Sequence, residues 1–295
     1  MTTPPFDDRD GSIWLDGAFV PWRDAKLHVL SHGLHYGGGV FEGERVYGGR
    51  VFKLTEHSRR LHTSARELGF RLPFAVSELD DASREVVRRQ GIADGYVRPV
   101  AWRGSEQLGV SSAGTSVHVA IAAWEWPHVF SADARLRGIR LSTSRWRRPS
   151  PDTAPVHAKA SSLYNICTLA RDAAVAAGHD DALLLDHRGH LAEATGANLF
   201  LAIGGALHTP IPDVVLNGIT RQTVINLARE LGIAVYERHI RPEELSRADE
   251  VFLTGTAYEV QPVVAVDEHA YKVGKLASAL SEAYGRLVRG PAPRR

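Results

Sequence analysis

Alternating and periodic apolar positions divide the first part of the chain into short strands and two helices. The stretch SIWLDGAFVPW is typical of strand, Asp-Gly turn and strand, and ERVYGGRVFKL repeats that arrangement around Gly48 and Gly49. Apolar residues recur every three or four positions in TEHSRRLHTSARELGF, which predicts a helix capped by Thr55 and ended by Gly69. SELDDASREVVRRQG predicts a second helix capped by Ser77, and the strand patterns DGYVRPVAWRG and TSVHVAIAAWEW follow it.

The pattern changes after Trp126. The stretch PHVFSADARLRG has no clear period and is typical of a connector. From Gly138 onward, the strand patterns GIRLSTSRWRR, DALLLDHRGHLAEAT and NLFLAIGGALHTP alternate with the helical patterns SSLYNICTLARDAAVAAG, TRQTVINLARELG and VGKLASALSEAYGRLV. Hairpins with helices packed outside them predict an α+β (α/β) fold in two domains, a smaller one at 1–125 and a larger one at 137–295, joined by a loop at 126–136.

Composition narrows the class of protein. The 295 residues are 44% hydrophobic and 23% charged, which allows a large core in a soluble protein. The net charge of +1 gives no indication of nucleic acid or of an acidic membrane surface as a partner. The single cysteine, Cys167, fits a reducing compartment, and no apolar run approaches the roughly 20 residues of a membrane span. We therefore expect a cytoplasmic protein that binds neither nucleic acid nor membrane.

Lys159 is the first candidate for chemistry. It lies in TAPVHAKASSLYN, with no acidic residue within six positions on either side, and only five of the 35 basic residues are lysines. A chain that favours arginine for positive charge keeps a lysine where an amine is needed, because arginine cannot form an imine and hardly ever loses its proton. The alternative is a surface lysine with small neighbours.

Four further features bear on this lysine. Gly218, Ile219 and Thr220 open a helix in LNGITRQTV, where free backbone N–H groups make an anion site. LTGTAYEV offers a turn rich in hydroxyls, Glu193 lies between small residues on a strand, and Arg60 lies in EHSRRLH. Alone, these features are a cap, a turn and solvated charges. Together, an amine, a phosphate nest, a carboxylate and an arginine are what pyridoxal 5′-phosphate (PLP) requires.

Seven motifs carry a resemblance to a known family, in its order and at its spacings: SHGLHYGGGVFEGERVY, EHSRRLH, YVRPVAW, AKASSLYN, EATGANLF, LNGITR and TGTAYEVQPV. The chain resembles the class IV (fold-type IV) PLP-dependent aminotransferases, most closely the branched-chain amino-acid aminotransferases. The resemblance covers nearly the whole chain. It implies that family's two-domain fold with PLP between the domains, and an active site completed by a second subunit of a homodimer or larger homo-oligomer.

The resemblance also implies roles for individual residues toward the cofactor. Lys159 is similar to the catalytic lysine that forms the imine and moves the proton. Tyr164 matches the tyrosine on the cofactor's O3′ oxygen, Glu193 the partner of the ring nitrogen, and Leu216 the residue on the ring face. The implied phosphate ligands are Arg60, Gly218, Ile219, Thr220 and Thr256.

Toward the substrate, the resemblance implies two groups of residues. Tyr96 and Arg98, with the backbone of Thr256 and Ala257, match the carboxylate site. The apolar wall around the side chain is matched by Tyr36 and Phe41, and Trp126 extends it.

The chain departs from the family pattern in GGGVFEGER and in TAYE. Gly38 and Gly39 thin the apolar wall, Glu44 replaces an apolar residue, and Tyr258 stands where the family often has alanine. A bulky tyrosine there is expected to narrow or reshape the carboxylate pocket. These departures bear on the amino donor and leave the cofactor chemistry unchanged.

The implied reaction is a ping-pong transfer of an amino group between leucine, isoleucine or valine and 2-oxoglutarate. Three alternatives on the same fold are a D-amino-acid aminotransferase, an (R)-amine aminotransferase and an aminodeoxychorismate lyase; a fourth is a PLP-binding protein without turnover. The histidines of HVLSHGLHYG have no cysteine or carboxylate at metal-ligand spacing, so we expect no metal site. RWRRP is interpreted as a solvated, basic strand end.

Overall fold

The structure is a computed structural model that describes residues 4–126 and 130–290. The chain forms two units. The first consists of Met1–Pro127 with Ala158–Ser162, and the second of His128–His157 with Leu163–Arg295. The segment that carries Lys159 therefore belongs with the first unit, although it lies within the range predicted for the second domain.

An antiparallel sheet of seven strands and two long helices make up most of the first unit. The sheet runs in the order β2-β1-β7-β6-β4-β5, with β3 also paired to β6. The elements are β1 Ser12–Leu15, β2 Ala18–Pro21, α1 His32–Tyr36, β3 Gly39–Phe41, β4 Glu44–Tyr47, β5 Arg50–Val51, α2 Leu54–Glu67, α3 Val76–Arg89, β6 Gly95–Arg103 and β7 Val117–Glu125. The predicted hairpins and both predicted helices are confirmed.

Strand β6 shows why this sheet has two different faces. Successive side chains of a strand point to opposite faces. Val97 and Ala101 face the helices and are fully buried in the apolar core, together with Leu61 of α2 and Val86 of α3. Tyr96, Arg98, Val100 and Trp102 have the other parity and lie on the opposite face of the sheet. One face of the sheet thus packs into the core, and the opposite face carries polar and aromatic side chains.

The helix starts differ from the predicted ones. Helix α2 begins at Leu54, after Lys53 in the left-handed region at φ 52°, and α3 begins at Val76, so that Ser77 lies inside it. Thr55 is not a cap, because its hydroxyl donates to Asp80 of α3 at 2.5 Å, and Ser58 donates to the same carboxylate at 2.6 Å. A hydrogen bond between the two helices has replaced the local cap that the sequence predicts.

Within residues 130–290, the second unit contains a nine-stranded mixed sheet with four helices. Its path is β10-β9-β8-β15-β14-β11-β12-β13, β16 pairs with β15, and β10 also pairs with β11, which closes six strands into a ring. The elements are α4 Ala132–Arg137, β8 Ile139–Arg148, α5 Asn165–Ala176, β9 Asp181–Asp186, β10 Leu191–Ala194, β11 Asn198–Ile203, β12 Ala206–Pro210, α6 Ile219–Glu230, β13 Val235–Arg238, β14 Glu250–Gly255, β15 Glu259–Val266, β16 His269–Ala270 and α7 Lys275–Arg289.

The mixed helix and strand content agrees with the predicted α+β class. Helix α4 is an addition, since the sequence shows no period there; the Ser131 hydroxyl accepts from the Ala134 N–H at 3.1 Å and caps it. Six residues are too few to establish a helical period. Among the described residues, no helix combines the length and the apolar character that crossing a bilayer requires.

Candidate active site

The backbone on both sides of Lys159 is fixed within the first unit. The Phe41 N–H donates to the Lys159 carbonyl at 3.1 Å, and Val40 forms an antiparallel bridge with Ala160. From the other side, the Lys159 N–H donates to the Ser64 hydroxyl of α2 at 2.9 Å. The lysine is therefore held between strand β3 and helix α2, and its side chain starts from a rigid point.

The Lys159 amine lies in a setting that favours its neutral form. Its Nζ atom is 4.9 Å from the centroid of the Phe41 ring. Burial lowers the pKa of Lys159 to about 8, and the positive charges of Arg60 and Arg98 act in the same direction, against Glu42. An amine with this pKa is partly unprotonated near neutral pH, as a nucleophile or proton acceptor must be.

Glu42 organises the charges around the lysine. It is fully buried and accepts from Arg60 Nε at 2.6 Å, from Arg60 Nη2 at 2.8 Å and from His57 Nδ1 at 2.7 Å. Burial alone would raise the pKa of Glu42, but the Arg60 and His57 charges hold it well below its usual range. The pKa of His57 is lowered by burial and by the charges of Arg60 and Lys159. We call Glu42, His57, Arg60 and Lys159 the Glu42 cluster.

Sequence reasoning identified Arg60 and Lys159 of this cluster but not Glu42 or His57. The signal was available in two places. His57 and Arg60 are three positions apart in EHSRRLH, a spacing that puts both on one side of α2. Glu42 lies in the stretch VFEGER, where its carboxylate is flanked by apolar residues and glycine.

Tyr96, Arg98 and Phe41 come together on the face of the first unit's sheet that is opposite its core. The Arg98 guanidinium carbon is 4.7 Å from the Phe41 ring centroid and 5.4 Å from that of Tyr96. The Tyr96 and Trp126 rings pack edge to face at 4.6 Å. A Cβ at position 43 would collide with the Tyr96 hydroxyl, so only glycine fits there.

An apolar cavity of about 340 Å³ adjoins Phe41 and Arg98 in the first unit. Val100, Trp102 and Ala122 line it, and among the described residues Arg98 is the one charged side chain in its wall. The Arg98 Nε atom is buried and has no hydrogen-bond partner among residues 4–126 and 130–290. A buried guanidinium nitrogen beside an apolar cavity is suited to bind the carboxylate of an apolar molecule.

Tyr36 lies elsewhere in the first unit. It is 46% exposed, and its hydroxyl donates to the Leu108 carbonyl at 2.9 Å. The walls of the cavity do not include it. The structure therefore does not bring Tyr36 together with Phe41 within this chain.

In the second unit, Glu193 lies on β10 directly opposite Asn198 of β11. Its Oε1 atom is 3.3 Å from Arg148 Nε, and the two side chains are only 13% and 4% exposed. The interpretation of RWRRP as a solvated strand end is therefore wrong for Arg148, although Arg145 and Arg147 are exposed. Arg148 ends strand β8 and turns inward, where it stabilises the charge of Glu193.

Asn198 connects Glu193 with the start of helix α6. Its Nδ2 atom donates to the Leu216 carbonyl at 3.0 Å, and a Cβ at Gly218 would collide with its Oδ1 atom. Gly218 precedes Ile219 and Thr220, the first two residues of α6. N–H groups in the first turn of a helix have no partner within the helix, so this end attracts anions.

The remaining predicted residues of the second unit lie at turns. Tyr164 is partly buried at the start of α5, and Thr256 and Ala257 form the turn between β14 and β15. Tyr258, which was expected to narrow or reshape the carboxylate pocket, directly follows this turn. It is 7% exposed and packs into the core, with its ring 5.3 Å from that of Phe130.

Each unit contains residues whose donor chemistry fits PLP. In the first unit, a rigidly held amine with a lowered pKa suits an aldehyde and an arginine suits a phosphate; in the second unit, a glycine-led helix start also suits a phosphate. A buried carboxylate suits a protonated ring nitrogen. The roles of these groups toward a cofactor remain predictions.

Comparison with known proteins agrees with this chemistry. The family profile of class IV amino-transferases matches residues 39–266. The chain is 42% identical to a protein of Rickettsia felis named a probable branched-chain-amino-acid aminotransferase, over 94% of this chain and 96% of the relative. It is 41% identical to the branched-chain-amino-acid aminotransferase of Pseudomonas aeruginosa, over 96% of this chain and 94% of the relative.

Solved structures give the same result. A T.th. branched-chain amino acid aminotransferase, determined with pyridoxamine 5′-phosphate, superposes with a TM-score of 0.93 at 43% identity, over 97% of this chain and 96% of that one. The Escherichia coli branched-chain amino acid aminotransferase superposes with a TM-score of 0.92 at 39% identity, over 96% of both chains. The chain therefore belongs to the class IV aminotransferases, as its motifs predict.

Proposed function

We propose that the chain is a PLP-dependent aminotransferase that moves an amino group between a branched-chain L-amino acid and 2-oxoglutarate. The names of its relatives support the reaction and the substrate class. The observation that carries the proposal is Lys159, an amine with a pKa of about 8, fixed through its backbone on both sides.

Each residue has a task toward the cofactor in this proposal. PLP, when bound, supplies an aldehyde for the amine and a protonated ring that accepts electrons. Lys159 would hold the cofactor through its aldehyde, Glu193 would keep the ring nitrogen protonated, Tyr164 would donate to the O3′ oxygen, and Leu216 would cover one ring face. The phosphate is bound by Arg60, Gly218, Ile219, Thr220 and Thr256.

In this proposal, Lys159 transfers the proton of the substrate Cα. With the cofactor bound, the Nζ atom of Lys159 would act as the base that accepts the proton of the substrate Cα, and in its protonated form as the acid that gives the proton back. The lowered pKa of Lys159 allows this near neutral pH, because Nζ must be unprotonated before it accepts the proton. A keto acid then leaves and a second keto acid reverses the steps, which gives ping-pong kinetics.

We assign substrate recognition to two places. One is the face of the first unit's sheet that is opposite its core, and the other is the Thr256–Ala257 turn. Arg98 and Tyr96, with that turn's backbone, bind carboxylate. Phe41, Trp126 and the adjoining cavity accept an apolar side chain, because most of the residues that line the cavity are apolar. Leucine, isoleucine and valine are therefore expected to be better donors than aspartate.

A homodimer completes the proposal. Val29, Leu34 and Val110 are 70%, 63% and 83% exposed, and Tyr36 binds the Leu108 carbonyl beside them. Exposed apolar residues grouped in this way mark contact surfaces. We propose that a second copy covers this surface, with Tyr36 acting in the partner's active site. The single cysteine supports a cytoplasmic location.

The test is kinetic and uses Arg98→Leu. Turnover with L-leucine and 2-oxoglutarate should fall roughly ten- to a hundredfold in kcat/KM, as expected when a charge-assisted contact of about 1.5–3 kcal/mol is lost. Arg140→Leu, which removes an exposed strand arginine in the second unit, is the matched control and should behave as wild type.

A second experiment, on the wild-type protein, separates the alternative functions. Half-reactions with L-leucine, D-alanine and (R)-phenylethylamine, each followed by absorbance, identify the donor. Preference for D-alanine indicates a D-amino-acid aminotransferase, and preference for the amine indicates an (R)-amine aminotransferase. PLP binding without any half-reaction leaves a binding protein, or a lyase if aminodeoxychorismate is consumed.

A further inference from the structure

Tyr258 lies at the centre of a buried network of polar side chains in the second unit. Its hydroxyl donates to Asp181 Oδ2 at 2.7 Å, and Arg171 Nη1 donates to the phenol oxygen at 3.3 Å. Asp181 Oδ1 accepts from the Thr195 hydroxyl at 2.5 Å and from the Ala182 N–H at 2.8 Å. We call Tyr258, Asp181, Thr195 and Arg171 the Tyr258 network.

The network joins two turns of the chain. Thr195 follows Glu193 by two positions, in the turn that reverses β10 into β11, and the Ala194 N–H donates to the Ala197 carbonyl across that turn at 2.8 Å. Tyr258 directly follows Thr256 and Ala257 in the turn from β14 to β15. One hydroxyl from each turn therefore meets the same carboxylate, that of Asp181.

Backbone packing brings the same turns close together. A Cβ at Gly196 would lie 3.5 Å from the Tyr258 ring, and a Cβ at Gly255 would lie 3.1 Å from the Gly196 carbonyl oxygen. The Tyr258 ring thus supports the turn after Glu193 as well as its own. A displacement of either turn would have to break a hydrogen bond to Asp181 or open a gap at the ring.

Breaking this network costs much free energy because its carboxylate and its phenol are buried. Asp181 is fully buried and Tyr258 nearly so. A buried carboxylate that loses one of its donors keeps the penalty of desolvation without its compensation. Burial, with the charge of Asp181, raises the pKa of Tyr258, so the phenol remains a donor at any pH at which the protein is used.

We infer that Tyr258 is a positioning residue, which fixes the Thr256–Ala257 turn relative to Glu193 through Asp181 and Thr195. The inference rests on the proposed function, in which these two turns bind the cofactor and the substrate carboxylate. Tyr258 touches neither ligand in this role. Position 258, where the chain departs from the family pattern, would thus determine how tightly cofactor and amino acid are held.

Tyr258→Phe is the test, since it removes the hydroxyl and keeps the ring. Tyr271→Phe is the matched control, because it removes a hydroxyl that donates to the Leu245 carbonyl at 3.1 Å in the same unit. The dissociation constant of PLP is measured on the apoenzyme by fluorescence, without turnover. KM and kcat for L-leucine are measured on the PLP-loaded enzyme, and melting temperatures are recorded for both variants.

We expect Tyr258→Phe to weaken PLP binding about tenfold and to raise the KM for L-leucine by a similar factor, with kcat changed less than about twofold. Tyr271→Phe should lower the melting temperature comparably and leave both constants unchanged. Thr195→Val, which removes the other hydroxyl on Asp181, should give a similar loss, and the double variant should lose less than the product of the two. Thr195→Val also decides the matter if Tyr258→Phe fails to fold.

Equal constants for Tyr258→Phe and Tyr271→Phe, or a fall in kcat alone, would overturn the inference. Failure of the proposed function looks different. A wild-type protein that binds PLP but does not transaminate L-leucine refutes the proposed function. The comparison of PLP dissociation constants still decides whether Tyr258 positions the two turns.

Discussion

Glu42 and Glu44 are two residues apart and both fully buried, but their pKa values are shifted in opposite directions. Glu42 accepts three side-chain hydrogen bonds from Arg60 and His57, and these charges hold its pKa well below the usual range. Neither Glu44 oxygen has a hydrogen-bond partner in the described part of the chain. Burial raises the pKa of Glu44 well above its usual value, and the charge of Glu42 raises it further.

The difference comes from the partners that each carboxyl meets. Glu44 is paired with Val97 and lies two residues before Val46, so it points with both of them into the apolar core. Glu42 precedes strand β4 and meets the charged residues of α2 instead. Burial alone therefore does not determine whether an acid is charged; its partners do. The protein thus has a carboxyl with a lowered pKa near Lys159 and a carboxyl with a raised pKa in its core.

Removing the Lys159 amine from the Glu42 cluster should have the largest effect. Lys159→Ala should reduce transamination of L-leucine by at least about 10⁴-fold, because the proposed mechanism assigns both the bond to the cofactor and the proton transfer to this amine. PLP should still bind through its phosphate, which equilibrium dialysis measures. Lys53→Ala, which removes a partly exposed lysine paired with Glu56, is the control. Near-normal turnover in Lys159→Ala would show that the amine has another function.

Glu42→Gln should have the next largest effect. It leaves the Arg60 charge without its acid, so we expect a loss of about 3 kcal/mol in the free energy of unfolding at pH 8, measured with urea. Because Glu42 raises the pKa of Lys159, the pKa of that lysine should also fall below about 8. The pH dependence of Lys159 acylation, followed by mass spectrometry, measures this shift.

The control for this variant is Glu56→Gln, which changes an exposed glutamate on the same helix. It should alter neither the unfolding free energy by more than about 0.5 kcal/mol nor the pKa of Lys159. A rise in the pKa of Lys159 in Glu42→Gln would contradict the arrangement of charges described above.

Glu44→Ile should have the smallest effect, and it should stabilise. Replacing a buried carboxyl that lacks a partner by an apolar side chain should raise the unfolding free energy by about 1–2 kcal/mol at pH 8. Glu125→Ile, at the exposed end of strand β7, is the control and should change it little. A loss of stability in Glu44→Ile would mean that the carboxyl has a stabilising partner.

The two acids should also respond to pH with opposite signs. The folded-state pKa of Glu44 is raised, so its cost is absent below the unfolded pKa of about 4.3 and grows as the pH rises toward the folded value. The gain from Glu44→Ile therefore increases with pH. The folded-state pKa of Glu42 is depressed, so its stabilisation is present above about 4.3 and is lost as the pH falls. Urea titrations between pH 4 and 8 compare both variants.

The sequence was sufficient for the family and the fold class, because seven motifs in order and clear strand and helix periods carry them. It also named the residues proposed for the cofactor and substrate, whose roles remain predictions. The surroundings of these residues were not predictable. Arg148 follows two exposed arginines, and only the end of strand β8 shows that it turns toward Glu193. Tyr258 was expected at the pocket, since nothing local indicates that Asp181, 77 positions away, binds its hydroxyl.

The placement of Ala158–Ser162 in the first unit has a consequence for synthesis of the chain. The polypeptide passes between the two units three times, at 127–128, 157–158 and 162–163. Strand β3 receives its partners Lys159 and Ala160 only after the ribosome has made part of the second unit. A nascent chain that ends at residue 127 thus lacks a piece of its own first unit. We expect this unit to complete folding only after residue 162 has left the exit tunnel. Lys159 is therefore among the last residues to take its place in the first unit.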